Sequence, residues 1–159
     1  MSDEKQKEVQ AQQYVCFVVH GEEYGVPILC VQEIIRYETL TRVPQSPPFI
    51  DGVLNLRGQV IPVMNLRKKF SLPPRELDKS TRIIVVEVKK RVVGIVVDEV
   101  SEVLQINAES IDPPPPMGAQ INTNFIQGMG KLDEHLVILL DIDKVLSSDE
   151  VTMMESAIA

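Results

Sequence analysis

A chain of 159 residues, 44% of them hydrophobic, is long enough to form one or two small domains with a core. Its formal charge of −7 and its 4% aromatic content disfavour nucleic-acid binding, because phosphates would be repelled and few rings could stack on bases. No apolar leader opens the sequence, and no apolar run reaches the roughly 20 residues that span a bilayer. We therefore expect a cytoplasmic protein without direct membrane insertion. In it, Cys16 and Cys30 should be buried as small hydrophobic residues rather than joined in a disulfide.

The first half of the chain predicts a hairpin, an ambiguous segment and a helix–strand pair. Residues 1–12 are polar and mixed in charge, so we expect a flexible tail. "YVCFVV" and "EYGVPIL" are rich in β-branched and aromatic residues and flank a turn at residues 20–23, which is typical of a β-hairpin. "CVQEIIRY" suits either one or two helical turns or a strand. "PFIDGVL" predicts a short helical turn, and "QVIPVMNL" predicts a strand that Pro62 assigns to an edge or a bulge.

The second half repeats this pattern after a polar, proline-broken connection at residues 67–81. "RIIVVEV" and "RVVGIVV" flank "KK" and predict a second hairpin, which "DEVSEVLQI" follows. A loop with four consecutive prolines leads to "FIQGMGKLDEHLVILLDI", which closes the pattern. Ser147 stands three residues before Glu150, the spacing of a capping box, so we predict a short C-terminal helix at residues 147–159.

An internal repeat relates the two halves. Residues 14–35 align with 83–104 without a gap, and residues 49–66 align with 125–142. Chance matching of two β-rich halves is the competing explanation, but the fixed order and the absence of gaps favour duplication. The sequence therefore predicts a mainly β protein of two similar small barrels, at about residues 13–80 and 81–146. Because each unit is too small to bury much surface alone, the two should pack across a shared apolar junction.

Residues that could carry catalysis or hold a metal are scarce in this sequence. His20 and His135 have no second histidine or paired cysteine at metal-ligand spacing. There is no phosphate-binding glycine loop after a strand and no nucleophile-elbow motif. We therefore expect a binding protein that is not an enzyme and that needs no cofactor.

One arginine interrupts the apolar stretch "GVLNLRGQVIPVMNL". In the aligned second half, Lys-Leu-Asp-Glu at residues 131–134 replaces Asn-Leu-Arg-Gly at 55–58, so the repeated frame does not demand Arg57. One interpretation is a solvated turn arginine. The other is an arginine that a carboxylate steadies and that a partner contacts, with Glu33 as the natural carboxylate.

Three segments resemble the CheW family of chemotaxis coupling proteins: "VPQSPPFIDGVLNLRGQVIPVMNLRKKF", "GEEYGVPILCVQEI" and "VVGIVVDEVSEVLQI". The resemblance covers about residues 12–150 and implies a CheW-like domain at 13–150, built of two SH3-like five-stranded β-barrels. It also implies a non-catalytic adaptor. Such an adaptor links chemoreceptor tips to the regulatory domain of the chemotaxis histidine kinase, which has the same fold, and assembles with the kinase into arrays or rings.

The resemblance also implies roles for individual residues. The positions of the receptor-binding groove are Ile28, Val31, Glu33, Val100 and Val103. Those of a functional turn are Gly52, Asn55, Arg57 and Gly58, and Met117 lies near a kinase contact. For Val31 and Val100, burial in the core is the competing interpretation. Two alternatives to the function remain open: a scaffold for a histidine kinase outside chemotaxis, and a module normally fused to a receiver domain.

Overall fold

Eleven strands and four short helical segments form the part of the chain that the structure, a computed structural model, describes: residues 11–114, 125–132 and 135–145. The first-half elements are β1 (Ala11–Val19), β2 (Glu22–Pro27), a 3-10 turn (Ile28–Cys30), β3 (Val31–Arg36), β4 (Ile50–Leu56), β5 (Gln59–Asn65) and α1 (Leu66–Lys69). The second-half elements are β6 (Arg82–Val88), β7 (Arg91–Val97), β8 (Glu99–Asn107), a 3-10 turn (Ala108–Ser110), β9 (Ile111–Asp112), β10 (Ile126–Leu132), β11 (His135–Leu140) and α2 (Ile142–Val145).

Both predicted hairpins are confirmed, but other local predictions are wrong. "PFIDGVL" is not a helical turn, because Ile50 to Leu56 pair with β5 as strand β4. The predicted tail at residues 1–12 ends too late, since β1 begins at Ala11. "CVQEIIRY" resolves into the end of a 3-10 turn followed by strand β3. The predicted helix at 147–159 and the predicted contact residue Met117 lie outside the described residues.

Pro62 does not place β5 at an edge, because β5 lies between β4 and β7. Opposite Pro62 stands Val53, whose N–H and C=O bond Thr41 on the far side of β4. Pro62 therefore sits at a non-hydrogen-bonded position facing β4. Pairing with β7 begins only at Val63, so the missing proline N–H leaves no partner unsatisfied.

The strands form two sheets that exchange their hairpins. Sheet 1 has the order β8-β1-β2-β11-β10-β9, and sheet 2 has the order β3-β6-β7-β5-β4. The hairpin β1–β2 thus joins strands of the second half, and the hairpin β6–β7 joins strands of the first. The predicted division into barrels at 13–80 and 81–146 is therefore wrong, because each sheet takes strands from both halves.

The exchange keeps the register of the repeat. In sheet 2 the parallel pairing of β5 with β7 sets Val63 opposite Gly94, and in sheet 1 that of β11 with β2 sets Leu139 opposite Gly25. These are aligned positions, since 63 corresponds to 139 and 94 to 25 in the two alignments. The predicted duplication is thus confirmed in the strand pairing.

Irregularities of the strands repeat as well. The ladder of β4 with β5 shifts register between Ile50 and Gly52, and that of β10 with β11 shifts at the aligned place, between Ile126 and Gly128. Thr41 adds a bridge to the outer edge of β4, and β9 pairs with the outer edge of β10 in the same way. In each sheet, the chain just after the first strand in the order, β3 or β8, thus pairs with a strand at the opposite end of the sheet. Barrel closure requires such a connection between the two ends of a sheet.

The core shows why neither hairpin has a polar face. On β1, Tyr14 and Cys16 face a small cluster inside sheet 1. Val15, Phe17 and Val19 face a large cluster between the sheets, which we call the junction cluster. The aligned strand β6 divides its side chains in the same way between the inside of sheet 2 and the junction. The predicted shared apolar junction is therefore confirmed, and it is the largest of the three clusters.

Candidate functional site

The turn that carries Arg57 joins β4 to β5 with two residues. Arg57 has a φ of 51° and Gly58 a φ of 88°, as in the tight hairpin turns in which both central residues are left-handed. The side chain of Asn55 stabilises this turn, because its Oδ1 accepts a hydrogen bond of 2.9 Å from the N–H of Gly58. A positive φ strains the backbone of an arginine, so the turn conformation does not explain why an arginine occupies residue 57.

Glu33 and Arg57 form a bidentate ion pair, which confirms the predicted contact. Arg57 Nη1 donates to Glu33 Oε1 at 3.3 Å, and Nη2 donates to Oε2. Both the hydrogen bonds and the negative charge of Glu33 raise the pKa of the Arg57 guanidinium above its ordinary value. The arginine side chain is nevertheless 72% exposed, so donors remain open to a partner. Water screens such a pair, so it contributes little to folding.

The predicted groove residues lie on β3 and β8, the outermost strands of the two sheets, except for Ile28, which lies in the 3-10 turn before β3. Ile28, Val31 and Val100 are half-buried and pack against the junction cluster, whereas Val103 is 51% exposed. Val31 on β3 and Val100 on β8 occupy aligned positions of the repeat. We call Ile28, Val31, Val100 and Val103 the inter-sheet strip. Because Val31 and Val100 are half-buried, their burial does not decide between a core residue and a groove residue.

The structure explains why residue 52 is glycine, which the sequence alone did not reveal. It adopts a φ of 154°, and a Cβ there would lie 2.5 Å from the carbonyl oxygen of Thr41. Thr41 exchanges two backbone hydrogen bonds with Val53, so the two segments cannot separate without losing this bridge. Only glycine permits this close approach.

A buried ion cluster around Asp98 was missed by sequence reasoning. Its carboxylate accepts from Arg67 Nε at 2.9 Å and Nη2 at 2.6 Å, and from the N–H of His20 at 2.9 Å. Arg75 lies 3.1 Å away, and Arg67 also donates to the carbonyl of Pro73. The cluster fastens the connection between α1 and β6 to the corner between β7 and β8. A lone aspartate directly after the apolar "VVGIVV" was the one available signal.

Metal and membrane features are absent from the residues that the structure describes. Within them no three His, Cys, Asp or Glu side chains come together as metal ligands. Within the same ranges no helix is long and apolar enough to cross a membrane.

The fold and the site define a class of mainly β protein: two strand-exchanged sheets with a half-buried apolar strip and an exposed ion pair on Glu33 of β3. The CheW-like domain family model matches residues 13–150. The chain is 44% identical to the chemotaxis protein CheW of Klebsiella aerogenes over 149 residues, which cover 94% of this chain and 90% of that protein. It is 37% identical to the chemotaxis protein CheW of Helicobacter pylori over 137 residues, or 86% and 82% of the two chains.

A solved structure gives the same result. The scaffolding protein TtCheW of Thermoanaerobacter tengcongensis matches with a TM-score of 0.80 and 37% identity, over 87% of this chain and 94% of that one. The chain therefore belongs to the CheW-like family and is a scaffold protein of chemotaxis. The resemblance seen in the sequence is confirmed.

Proposed function

We propose that this protein is a non-enzymatic adaptor that couples the helical cytoplasmic tips of chemoreceptors to the chemotaxis histidine kinase. The observation that carries the proposal is the inter-sheet strip together with the exposed Glu33–Arg57 ion pair. Glu33 lies on β3, the strand that also carries Val31, and Arg57 lies in the β4–β5 turn. An amphipathic helix can lay its apolar face on such a strip. The charged pair would then set the register of the helix and exclude wrong partners more than it adds affinity.

The repeat supports the second half of the proposal. Two similar but non-identical sheets offer two ends for contacts with kinase regulatory domains, and such head-to-tail contacts close into rings or extend into arrays. Each contact can be weak, because multivalency supplies the overall strength. The proposal implies a cytoplasmic protein recruited to membrane-bound receptor arrays. Within it, Met117 is proposed to lie near a kinase contact.

Charge substitutions in the inter-sheet strip test the receptor half of the proposal. Val103→Asp and Val31→Asp should weaken binding to a receptor-tip fragment by about a hundredfold, because a charge in an apolar contact is not compensated. Binding to the kinase regulatory domain should persist in both variants. The measurement is a pull-down and titration with each partner, with circular dichroism to confirm folding.

The matched control for Val103→Asp is Leu77→Asp, because Leu77 has a similar exposure, 52%, in the connection before β6. It should bind the receptor tip normally. If Val31→Asp unfolds while Val103→Asp binds as wild type does, the strip is core and the receptor half of the proposal is wrong.

Substitution of Arg57 separates binding from folding. Arg57→Ala should leave the melting temperature nearly unchanged, because the pair is exposed, and should reduce assembly of the receptor–kinase complex. The double swap Glu33→Arg with Arg57→Glu should restore the ion pair but not the partner contact. Sedimentation of the ternary complex and a thermal melt measure the two effects. Full recovery of assembly by the swap would mean that the pair is only structural.

A further inference from the structure

A leucine in the 3-10 turn between β2 and β3 is almost completely exposed. Leu29 is 96% exposed, and the next most exposed large hydrophobic residue among those described, Leu136, is 55% exposed. Burying a leucine side chain typically changes an equilibrium constant by about tenfold to a hundredfold. Because Leu29 is exposed, folding gains little of this stabilisation.

The turn holds Leu29 outward in a defined way. Its neighbours Ile28 and Cys30 are partly buried against the junction cluster, so they anchor the turn from both sides. The N–H of Val31 bonds the carbonyl of Ile28 and closes the turn. Leu29 is therefore a fixed apolar projection directly beside the inter-sheet strip, to which Ile28 and Val31 belong.

The repeat shows that this exposure is not imposed by the fold. The position aligned with Leu29 is Asp98, which is buried and bonded by Arg67. The same frame position can thus be filled by a buried side chain that joins the internal contacts of the protein. In the first half, the same position holds Leu29, whose side chain is exposed and does not join the internal contacts.

Glu87 on β6 lies close to the turn, because it follows Val86, the strand partner of Val31. Burial and the negative charges of Asp143, Asp141 and Glu87 raise the pKa of the Cys30 thiol, which lies next to Leu29 in the chain. Asp143 also accepts a hydrogen bond from the backbone N–H of Lys89. A partner surface that receives Leu29 would therefore combine an apolar notch with flanking basic side chains.

We propose that Leu29 is an anchor residue for the receptor tip, and that it inserts into an apolar notch between helices of the tip whose rim carries Lys or Arg. The proposal rests on the proposed receptor-coupling function and extends the inter-sheet strip at the Ile28 end. Leu29 is within two residues of both Ile28 and Val31, which favours one occupant for the strip and Leu29 over two separate partners.

The test uses the full chain with Leu29→Ala, and Leu77→Ala as a matched leucine control. Titration with a receptor-tip fragment should show binding about tenfold weaker for Leu29→Ala and unchanged for Leu77→Ala. Both variants should bind the kinase regulatory domain as wild type does. Glu87→Gln should weaken receptor binding at low salt and reduce its dependence on ionic strength.

The outcomes separate this proposal from the function on which it rests. If wild type binds the receptor tip, Val103→Asp does not, and Leu29→Ala does so undiminished, the anchor role is wrong while the coupling function stands. Loss of kinase binding alone in Leu29→Ala would assign the residue to the kinase and overturn the proposal. Tighter receptor binding by Glu87→Gln would contradict a basic rim. If wild type itself fails to bind the tip, the coupling function is wrong and the anchor role falls with it.

Discussion

Arg67→Ala is expected to lower the free energy of unfolding by about 3 kcal/mol, the lower end of what breaking a buried ion pair costs. Arg67 and Asp98 are 12% and 7% exposed, so removal of the guanidinium leaves a buried carboxylate with fewer donors. The carbonyl of Pro73 also loses its hydrogen bond from Arg67. For a chain of this size the melting temperature should fall by about 6–12 °C. Chemical denaturation and a thermal melt measure both quantities.

Arg75→Ala is the matched control, because Arg75 contacts the same carboxylate but its side chain is 41% exposed. Water can replace an exposed partner, so this variant should melt almost as wild type does. If the two substitutions lower the stability equally, the burial of Arg67 does not increase its contribution to stability above that of the exposed Arg75.

The same cluster should make stability depend on pH in acid. Burial raises the pKa of Asp98, but hydrogen bonds from Arg67 and from the N–H of His20 outweigh it and lower the pKa from 3.8 to about 2. Because the pKa is depressed in the folded state, the stabilisation is complete above pH 3.8 and is lost as the pH falls to about 2. The difference in stability between wild type and Arg67→Ala should therefore shrink across this interval. A difference that stays constant would assign the acid loss to other carboxylates.

Gly52→Ala is expected to destabilise the protein by about 3 kcal/mol or more, since a non-glycine backbone strain of about 1–3 kcal/mol adds to a steric clash. The new Cβ would lie 2.5 Å from the oxygen of Thr41, and relief of the clash would break the bridge between Thr41 and Val53. The melting temperature should fall by at least about 6 °C, which a calorimetric scan would detect.

Gly58→Ala provides the control for the backbone strain alone. Gly58 also has a positive φ, 88°, but a Cβ at this residue would meet no neighbouring atom within 4 Å. The variant should lose only about 1–2 kcal/mol, the strain of a left-handed residue. If Gly52→Ala loses no more than Gly58→Ala does, the close approach of Thr41 is not what requires glycine at residue 52.

Much of the fold could be predicted from residue patterns, because hairpins and repeats leave local or aligned signals. The contact of Glu33 with Arg57 was also predictable, since Arg57 is the single charge in its apolar segment and Glu33 is the single carboxylate in "CVQEIIRY". The strand exchange was not predictable in this way. An alignment shows that β1 and β6 are equivalent, but equivalent strands fit either sheet equally well, so the pattern cannot tell which copy pairs with which.

Other features escaped because they have no local pattern. Arg67 and Asp98 meet across 31 residues, and one arginine and one aspartate at that separation match many other pairs in a charged chain. "PFIDGVL" is too short for its apolar spacing to distinguish a helical turn from a strand. Only its pairing with β5 decides in favour of the strand.

Because of the hairpin exchange, the order in which the sheets can fold differs from the order in which their first strands are synthesised. The hairpin β1–β2 is complete at Pro27, but its two neighbours in sheet 1, β8 and β11, end only at Asn107 and Leu140. Sheet 2, in contrast, has all its strands once Val97 has been made. The hairpin β1–β2 must therefore wait with both of its outer edges unpaired while a sheet assembled from later residues forms beside it. A newly made chain is thus most exposed to wrong strand pairing at this hairpin.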